Sequence, residues 1–418
     1  MTFRLSRSLA LGGLALLLLS TSARADDGAY APVANPQFRA GDSTPTDLIL
    51  DDLLLAAARA GKRLVAVGEF GHIALSDDDG KTWRQAKTVP TQSTLTSVVF
   101  TDDKTGWAAG HDKTILITAD AGETWSVQYT REISAAAGIP LEPRGRAEEP
   151  APVEDPALAP DGAAPVEGAP ADGAAPADDM ASIDDSAVVD EPGASTSQDG
   201  FVDSDTSGND PEPDVPFLGL VFTSPTHGIA VGGFNYAAET NDGGKTWTPR
   251  RLVKTSSDDF HLNAAFAGPD GSLFVPSELG QVYRSLDGGK TWDITQTEYE
   301  GSFWGGLTLK DGSVLVVGMR GNIWRTRDKG NTWEQLGAET TPESLSSGIQ
   351  LDDGEIILVG IGGTILRSKD DGATWDASLS QTDRKGIAAV AQGYDGLLLL
   401  MGEVGLRKKA LDGSVPQG

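Results

Sequence analysis

One octapeptide recurs six times at near-constant spacing, and it constrains this chain more than any other feature. The copies are Ser76-Asp-Asp78-Asp-Gly80-Lys-Thr82-Trp83, Thr118-Ala-Asp120-Ala-Gly122-Glu-Thr124-Trp125, Thr240-Asn-Asp242-Gly-Gly244-Lys-Thr246-Trp247, Ser285-Leu-Asp287-Gly-Gly289-Lys-Thr291-Trp292, Thr326-Arg-Asp328-Lys-Gly330-Asn-Thr332-Trp333 and Ser368-Lys-Asp370-Asp-Gly372-Ala-Thr374-Trp375. Successive tryptophans stand 42, 45, 41 and 42 residues apart, except where one long segment intervenes. A period of this size means one supersecondary unit copied along the chain.

Each unit reads as strands. An apolar stretch precedes a second one ending in glycine, as in Leu64–Gly68, Val314–Gly318 and Ile356–Gly360. A tight turn leads to a third strand, as in His72–Leu75, Asn322–Arg325 and Thr364–Arg367. The octapeptide then turns the chain into a fourth strand. Its Asp can accept hydrogen bonds from turn amides, its Gly takes a positive φ without steric cost, and its Trp buries a large ring against a neighbouring sheet. The motif aspartates are thus turn formers. The fold class is all-β, a seven-bladed β-propeller of four-stranded antiparallel blades, with the octapeptide turn in six of them.

The seventh blade comes from the end of the chain, where Ile387–Ala391, Leu397–Met401 and Leu406–Lys409 read as three strands. A fourth is expected from within Tyr30–Leu50, closing the ring and leaving no open edge.

The start reads as a secretory signal over residues 1–25: Arg4 and Arg7, an apolar run Leu9–Leu19, and the small-residue exit Ala23-Arg24-Ala25. Residues 26–45 form an N-terminal tail with the ring-closing strand, 46–138 carry blades 1 and 2, and 215–418 carry blades 3 to 7. The apolar run is short for a membrane span, so the exported chain is expected not to span a membrane. The chain has no cysteine, which excludes disulfides and thiolate metal sites and fits a periplasmic or equivalent extracytoplasmic compartment. A net charge of −28 excludes a nucleic-acid surface.

Much of that charge lies in residues 139–214, where Leu141–Asp214 holds 20 acidic and 2 basic residues. Rich in Ala, Pro, Gly and Asp, this insert has little apolar bulk with which to fold, and its composition predicts disorder. Within it Asp203, Asp205, Ser207 and Asp210 resemble the start of a calcium loop, but the twelfth position is Asp214 rather than Glu. A solvated acidic linker is the reading adopted, with no metal and no cofactor.

The Ser/Thr-x-Asp-x-Gly-x-Thr-Trp box resembles that of the Asp-box, or sialidase-like, superfamily of propellers. Two phrases narrow the likeness: Thr96–Gly110, with Gly106-Trp107 inside it, and Leu218–Gly232, with Gly228-Ile229. Each precedes an Asp box, and together they resemble the photosystem II stability and assembly factors. The resemblance implies a non-enzymatic scaffold or assembly chaperone whose partner is a protein client, here an envelope membrane protein or transporter component. The photosynthetic members bind an assembly intermediate from the lumenal side. The acidic insert and negative charge depart from that pattern.

The alternative that the superfamily implies is a sialidase-like glycoside hydrolase or carbohydrate-binding propeller. The arginine phrase of sialidases has only Phe38-Arg39 to match it, and the nearest Tyr-Glu neighbourhood is Glu298-Tyr299-Glu300, placed in a loop between blades. The four histidines, His72, His111, His227 and His261, show no zinc-ligand spacing. A client surface is expected on the face opposite the boxes, where second-to-third turns and blade connections meet. Its candidates are Glu69, Phe70, His111, Asp112, Tyr236, His261, Glu278, Phe303, Trp304, Arg320, Arg384, Lys385 and Glu403. Aromatics beside charges suit such a surface. A closed ring demands no partner strand, so a monomer is expected.

Overall fold

The computed structural model describes residues 41–130, 215–253, 259–337, 340–412 and 414. The signal segment, the acidic insert and the calcium-loop residues Asp203, Asp205, Ser207 and Asp210 lie outside the described residues.

Seven antiparallel sheets follow one another along the chain. Blade 1 comprises Leu54–Ala60, Arg63–Gly68, Ile73–Ser76 and Arg84–Gln85. Blade 2 comprises Leu95–Phe100, Gly106–Gly110, Ile115–Thr118 and Ser126–Tyr129, and blade 3 Phe217–Phe222, Gly228–Gly232, Ala237–Thr240 and Thr248–Arg250. Blade 4 runs Phe266–Ala267, Leu273–Pro276, Gln281–Ser285 and Asp293–Gln296, and blade 5 Phe303–Thr308, Val314–Gly318, Ile323–Thr326 and Glu334–Leu336. Blade 6 has Leu345–Gln350, Ile356–Gly360 and Ile365–Ser368, and blade 7 has Ile387–Gln392, Leu398–Gly402 and Gly405–Lys409. The first strand of each blade packs beside that of the next, and blade 1 packs beside blade 7, so the ring closes.

Among the described residues five sheets have four strands and two have three. In blade 6 the outer strand shrinks to one bridge, Arg367 with Asp376. In blade 7 the described part of the N-terminal segment adds no strand. Ser43 N–H instead donates to the Val89 carbonyl at 2.7 Å and Thr46 N–H to Gln85 Oε1 at 2.9 Å, holding residues 43–46 along blade 1. The chain still seals the seam between blades 7 and 1. Ile49 is buried with Leu399 and Met401, and Leu406 N–H donates to the Leu50 carbonyl at 2.8 Å. Burial of these aliphatic side chains helps to close the seam. Tyr30–Ala40 lie outside the described residues.

All six Asp boxes form the same knot. In the first, Thr82 N–H donates to Asp78 Oδ1 at 2.8 Å and the Thr82 hydroxyl to Oδ2 at 2.6 Å. The Ser76 hydroxyl donates to the same carboxylate at 2.9 Å and accepts from Gly80 N–H at 2.7 Å. The box glycines are left-handed, from Gly244 and Gly330 at φ 82° to Gly289 at φ 97°. The residue before each is left-handed too, including Asp79, Ala121, Lys329 and Asp371 at 60° or 61°, which the consensus did not flag.

The boxes also join the blades. The preceding blade donates to a turn carbonyl: Arg63 to Ala121, Arg250 to Gly289, Arg284 to Lys329 and Arg325 to Asp371. Arg367 makes the same reach into blade 7, to the Leu411 carbonyl at 2.9 Å. There Asp412 accepts from Ser414 N–H at 2.8 Å.

These knots predict an acid transition. The carboxyls of Asp78 and Asp287 are held down to about 2, first by the Thr82 or Thr291 hydroxyl and then by the amide of the same threonine. Asp242, Asp328 and Asp370 are lowered by the same pair of donors. At Asp120 burial opposes the shift and the Thr124 donors outweigh it. An unfolded aspartate titrates near about 3.9, so below that value the unfolded chain binds more protons. The stabilisation is full above about pH 5 and is lost as pH falls through about 4 toward 2. Thermal melts followed by circular dichroism should show a level Tm from neutral pH to about 5 and a steep fall below it. The fall should be shallower in Asp78→Asn.

Candidate protein-docking face

Sequential antiparallel strands put the boxes and the first-to-second hairpins on one face of the ring. The second-to-third turns and the blade connections lie on the other, the turn face. Its geometry starts from a glycine. Six second strands end in Gly68, Gly110, Gly232, Gly318, Gly360 and Gly402. Their backbone is extended where the cap angles define it, as at Gly360 with φ −172°. Space is what demands glycine here. A Cβ on Gly68 would lie 1.9 Å from the Leu53 carbonyl oxygen, and one on Gly360 2.0 Å from that of Ser344. The same carbonyls accept the next amide, Glu69 N–H at 3.0 Å and Ile361 N–H at 2.9 Å. Each second-to-third turn is thereby clamped to the start of the innermost strand.

The clamped turn presents one residue at its tip, in left-handed backbone. Across blades 1 to 6 the tips are Phe70, Asp112, Phe234, Leu279, Arg320 and Gly362, with φ between 51° and 66°. A bulky side chain in that conformation costs about 1–2 kcal/mol. Three tips are nonetheless large and apolar, and they face solvent: Phe70 is 57% exposed, Leu279 50% and Phe234 38%. Leu48, in the turn that leads into blade 1, is 61% exposed on the same face. On the opposite face the comparable residue is Leu286, 52% exposed inside the box of blade 4.

Two of the tips rest on a buried histidine paired with a carboxylate. The Phe70 ring meets His72 edge-on at 5.9 Å, and His72 Nδ1 is 2.8 Å from Asp52. Phe234 lies 4.9 Å from the ring of His261, whose Nδ1 is 2.7 Å from Glu278. His227, on the box face, pairs with Glu239 at 2.9 Å.

Burial redistributes the residues expected here. Phe303, Trp304 and Tyr236 are core, not surface. Phe303 and Trp304 open the innermost strand of blade 5, where the ring closes over them. Tyr236 shares a hydrogen bond with the Tyr129 hydroxyl at 2.9 Å and carries the Lys113 ammonium 4.4 Å over its ring. Glu69, Glu278 and Glu403 accept from the amides of Leu53, His261 and Gly386, at 2.9, 3.1 and 3.1 Å, and so tie down the innermost strands. His111 is half-buried, and its amide donates to the Thr94 carbonyl at 2.9 Å. Asp112 is exposed and accepts from the Ser93 hydroxyl. Arg320 is an exposed tip. Arg384 pairs with Glu343, and Lys385 with Glu403 at 3.8 Å.

Leu279 and Leu48 escaped the sequence reading. Leu279 was legible from the repeat, since it stands directly before a glycine as Phe70 and Arg320 do. Leu48 carries no repeat signal. Tyr299, weighed as half of a sialidase-like pair, is pushed up to about 12 by burial. Its hydroxyl donates to the Met319 carbonyl at 3.0 Å, which makes it a clamp between blades 4 and 5. Phe38-Arg39 lies outside the described residues.

Comparison with known proteins bears out the resemblance. Residues 211–342 match the family described as photosynthesis system II assembly factor YCF48. Over 102 residues the chain is 33% identical to the photosystem II assembly lipoprotein Ycf48 of Synechococcus sp. (strain CC9902), covering 24% of this chain and 28% of that protein. The chain therefore matches under a third of that relative's length. A solved structure of YCF48 bound to a D1 peptide superposes with a TM-score of 0.52 at 15% identity, over 85% of this chain and 91% of that one. A streptogramin B lyase structure superposes with a TM-score of 0.56 at 12% identity, over 88% of this chain and 95% of that one. The ring is thus shared by binding proteins and enzymes, and fold alone does not assign a function.

Proposed function

We propose that this chain is an exported, non-enzymatic propeller that holds a protein client on its turn face, as a scaffold or assembly chaperone for an envelope membrane protein or transporter component. The observation that carries this reading is the set of apolar tips. Phe70, Phe234 and Leu279 occupy equivalent turn positions, keep an unfavourable backbone conformation and remain exposed. An exposed apolar set on one face marks a protein-interaction surface more often than chance placement does. Strained turn positions persist where function holds them. The partial match to assembly factors supports the same class, and the solved propeller with a bound peptide shows that such a ring can carry one. Monomeric action follows from a ring without a long open edge.

A photo-crosslinking residue placed at position 70 or 279 should trap a client in cells, and the same residue at position 286 should not. Equal yields from all three positions would remove the turn face as the docking site.

A further inference from the structure

We propose that the docking segment of the client is both apolar and positively charged, seated on the half of the turn face formed by blades 1 to 4 around Phe70, Phe234 and Leu279. The inference rests on the docking reading above and names the chemistry of the partner.

It comes from an asymmetry of charge around the ring. On blades 6 and 7 the turn-face charges are spent on one another: Glu343 pairs with Arg384, Asp383 with Arg407 and Glu403 with Lys385. On blades 1 to 4 Asp259 pairs with Arg251 at 3.2 Å, but five other exposed turn-face carboxylates have no cation among the described residues. Asp47 and Asp51 flank the exposed Leu48, Asp112 is the tip of blade 2, and Glu298 and Glu300 lie in the connection after blade 4. None of these five has an ion-pair partner among the described residues. The connection that carries Glu298 and Glu300 is fastened to the turn that carries Leu279. Gly280 N–H donates to the Gly301 carbonyl at 2.8 Å, and a Cβ on Gly280 would lie 1.9 Å from the Tyr299 carbonyl. Each end of this half therefore sets exposed apolar side chains in the same turn or connection as carboxylates that have no ion-pair partner among the described residues.

That combination selects a partner. Burying Phe70 or Leu279 under a neutral or acidic segment would bring the carboxylates into a drier surrounding without compensation, which is costly. A segment bearing Lys or Arg beside Leu or Phe supplies the missing counter-charges at the rim and the apolar contact at the centre. The aliphatic stems of those cations would also cover the exposed rings. A plain cationic segment would leave the tips exposed, and a plain apolar one would leave the carboxylates unpaired.

The test uses the full exported chain and three synthetic peptides of one length: leucine with lysine, leucine with glutamate, and serine with lysine. Fluorescence anisotropy reads binding at low and high sodium chloride. The leucine–lysine peptide should bind at least about tenfold more tightly than the other two, and should weaken as salt shortens the screening length. Phe70→Ser with Phe234→Ser and Leu279→Ser should lose at least about tenfold for that peptide, and so should neutralising Asp47, Asp51, Glu298 and Glu300 to their amides. Circular dichroism melts confirm that both variants are folded. Unchanged binding of the leucine–lysine peptide by both variants would overturn the proposal, since the acidic insert or another surface would then hold it. Tighter binding of the leucine–glutamate peptide would overturn it as well. The crosslinking experiment separates the two readings. A client trapped from position 70 whose yield is indifferent to the carboxylate substitutions leaves the docking face standing and refutes its cationic partner. No trapped client refutes both.

Discussion

Replacing Trp125 with alanine is expected to remove about 4 kcal/mol of folding stability, within the range for deleting a buried aromatic side chain. The ring is 3% exposed and packs between blades 1 and 2, in one core with Val65, Leu75, Val98 and Leu116. Its Nε1 donates to the Gly122 carbonyl at 2.9 Å, so truncation also frees a carbonyl inside the box. Phe100 meets it edge-on at 6.3 Å. The measurement is a urea titration followed by tryptophan fluorescence or circular dichroism. Trp333→Ala provides the comparison. Trp333 holds the same box position but is half-buried, and its Nε1 donates to the Thr295 hydroxyl instead. Its loss should cost about half as much, because less apolar area leaves the core. Equal costs at the two positions would mean that the box Trp acts within its own turn and not between blades.

Gly360→Ala is expected to cost about 3 kcal/mol, although alanine is a minimal change and the backbone is extended. The cause is the Ser344 carbonyl oxygen, 2.0 Å from where the Cβ would sit, with Leu345 Cα at 2.8 Å. Backbone atoms cannot rotate away as a side chain can. Relief requires moving the start of the innermost strand of blade 6 and stretching the bond from Ile361 N–H to Ser344 at 2.9 Å. Gly354→Ala separates space from conformation. Gly354 has φ 97° and nothing within 4 Å of a Cβ, so it should lose only the about 1–2 kcal/mol of a left-handed alanine. Urea midpoints read both. If Gly354→Ala proved the more damaging, conformation rather than crowding would govern these glycines. A destabilised clamp would also loosen the tips, so client capture through position 70 should weaken in Gly68→Ala before the ring unfolds.

Blade 4 shows how the clamp accommodates a different residue. Ser277 stands where the other six blades have glycine, and its hydroxyl donates to the His261 carbonyl at 2.7 Å. A hydrogen bond there replaces the close approach, and the innermost strand of blade 4 is the shortest, Phe266–Ala267. The cost of that exception is a weaker inner ladder beside the exposed tip Leu279 and the buried His261.

The repeat was legible because a turn knot is local. Asp78, Thr82, Ser76 and Gly80 find one another within eight positions, so spacing alone identifies them, and six copies at a blade-like period determine the ring. The glycines at the second-strand ends were equally visible, but their reason was not. It lies in the Leu53 or Ser344 carbonyl of another strand. The turn face was legible as a location, but which of its residues are exposed was not. Tyr236, Trp304 and Phe303 carry the aromatic surfaces that a sequence reading favours, yet the packing of adjacent blades buries them and leaves Phe70, Phe234 and Leu279 exposed. Local hydrogen bonds and periodic burial are written in the order of residues. Which aromatic ring meets a neighbouring blade, and which carboxylates find a cation, depends on chain segments brought together only when the ring closes.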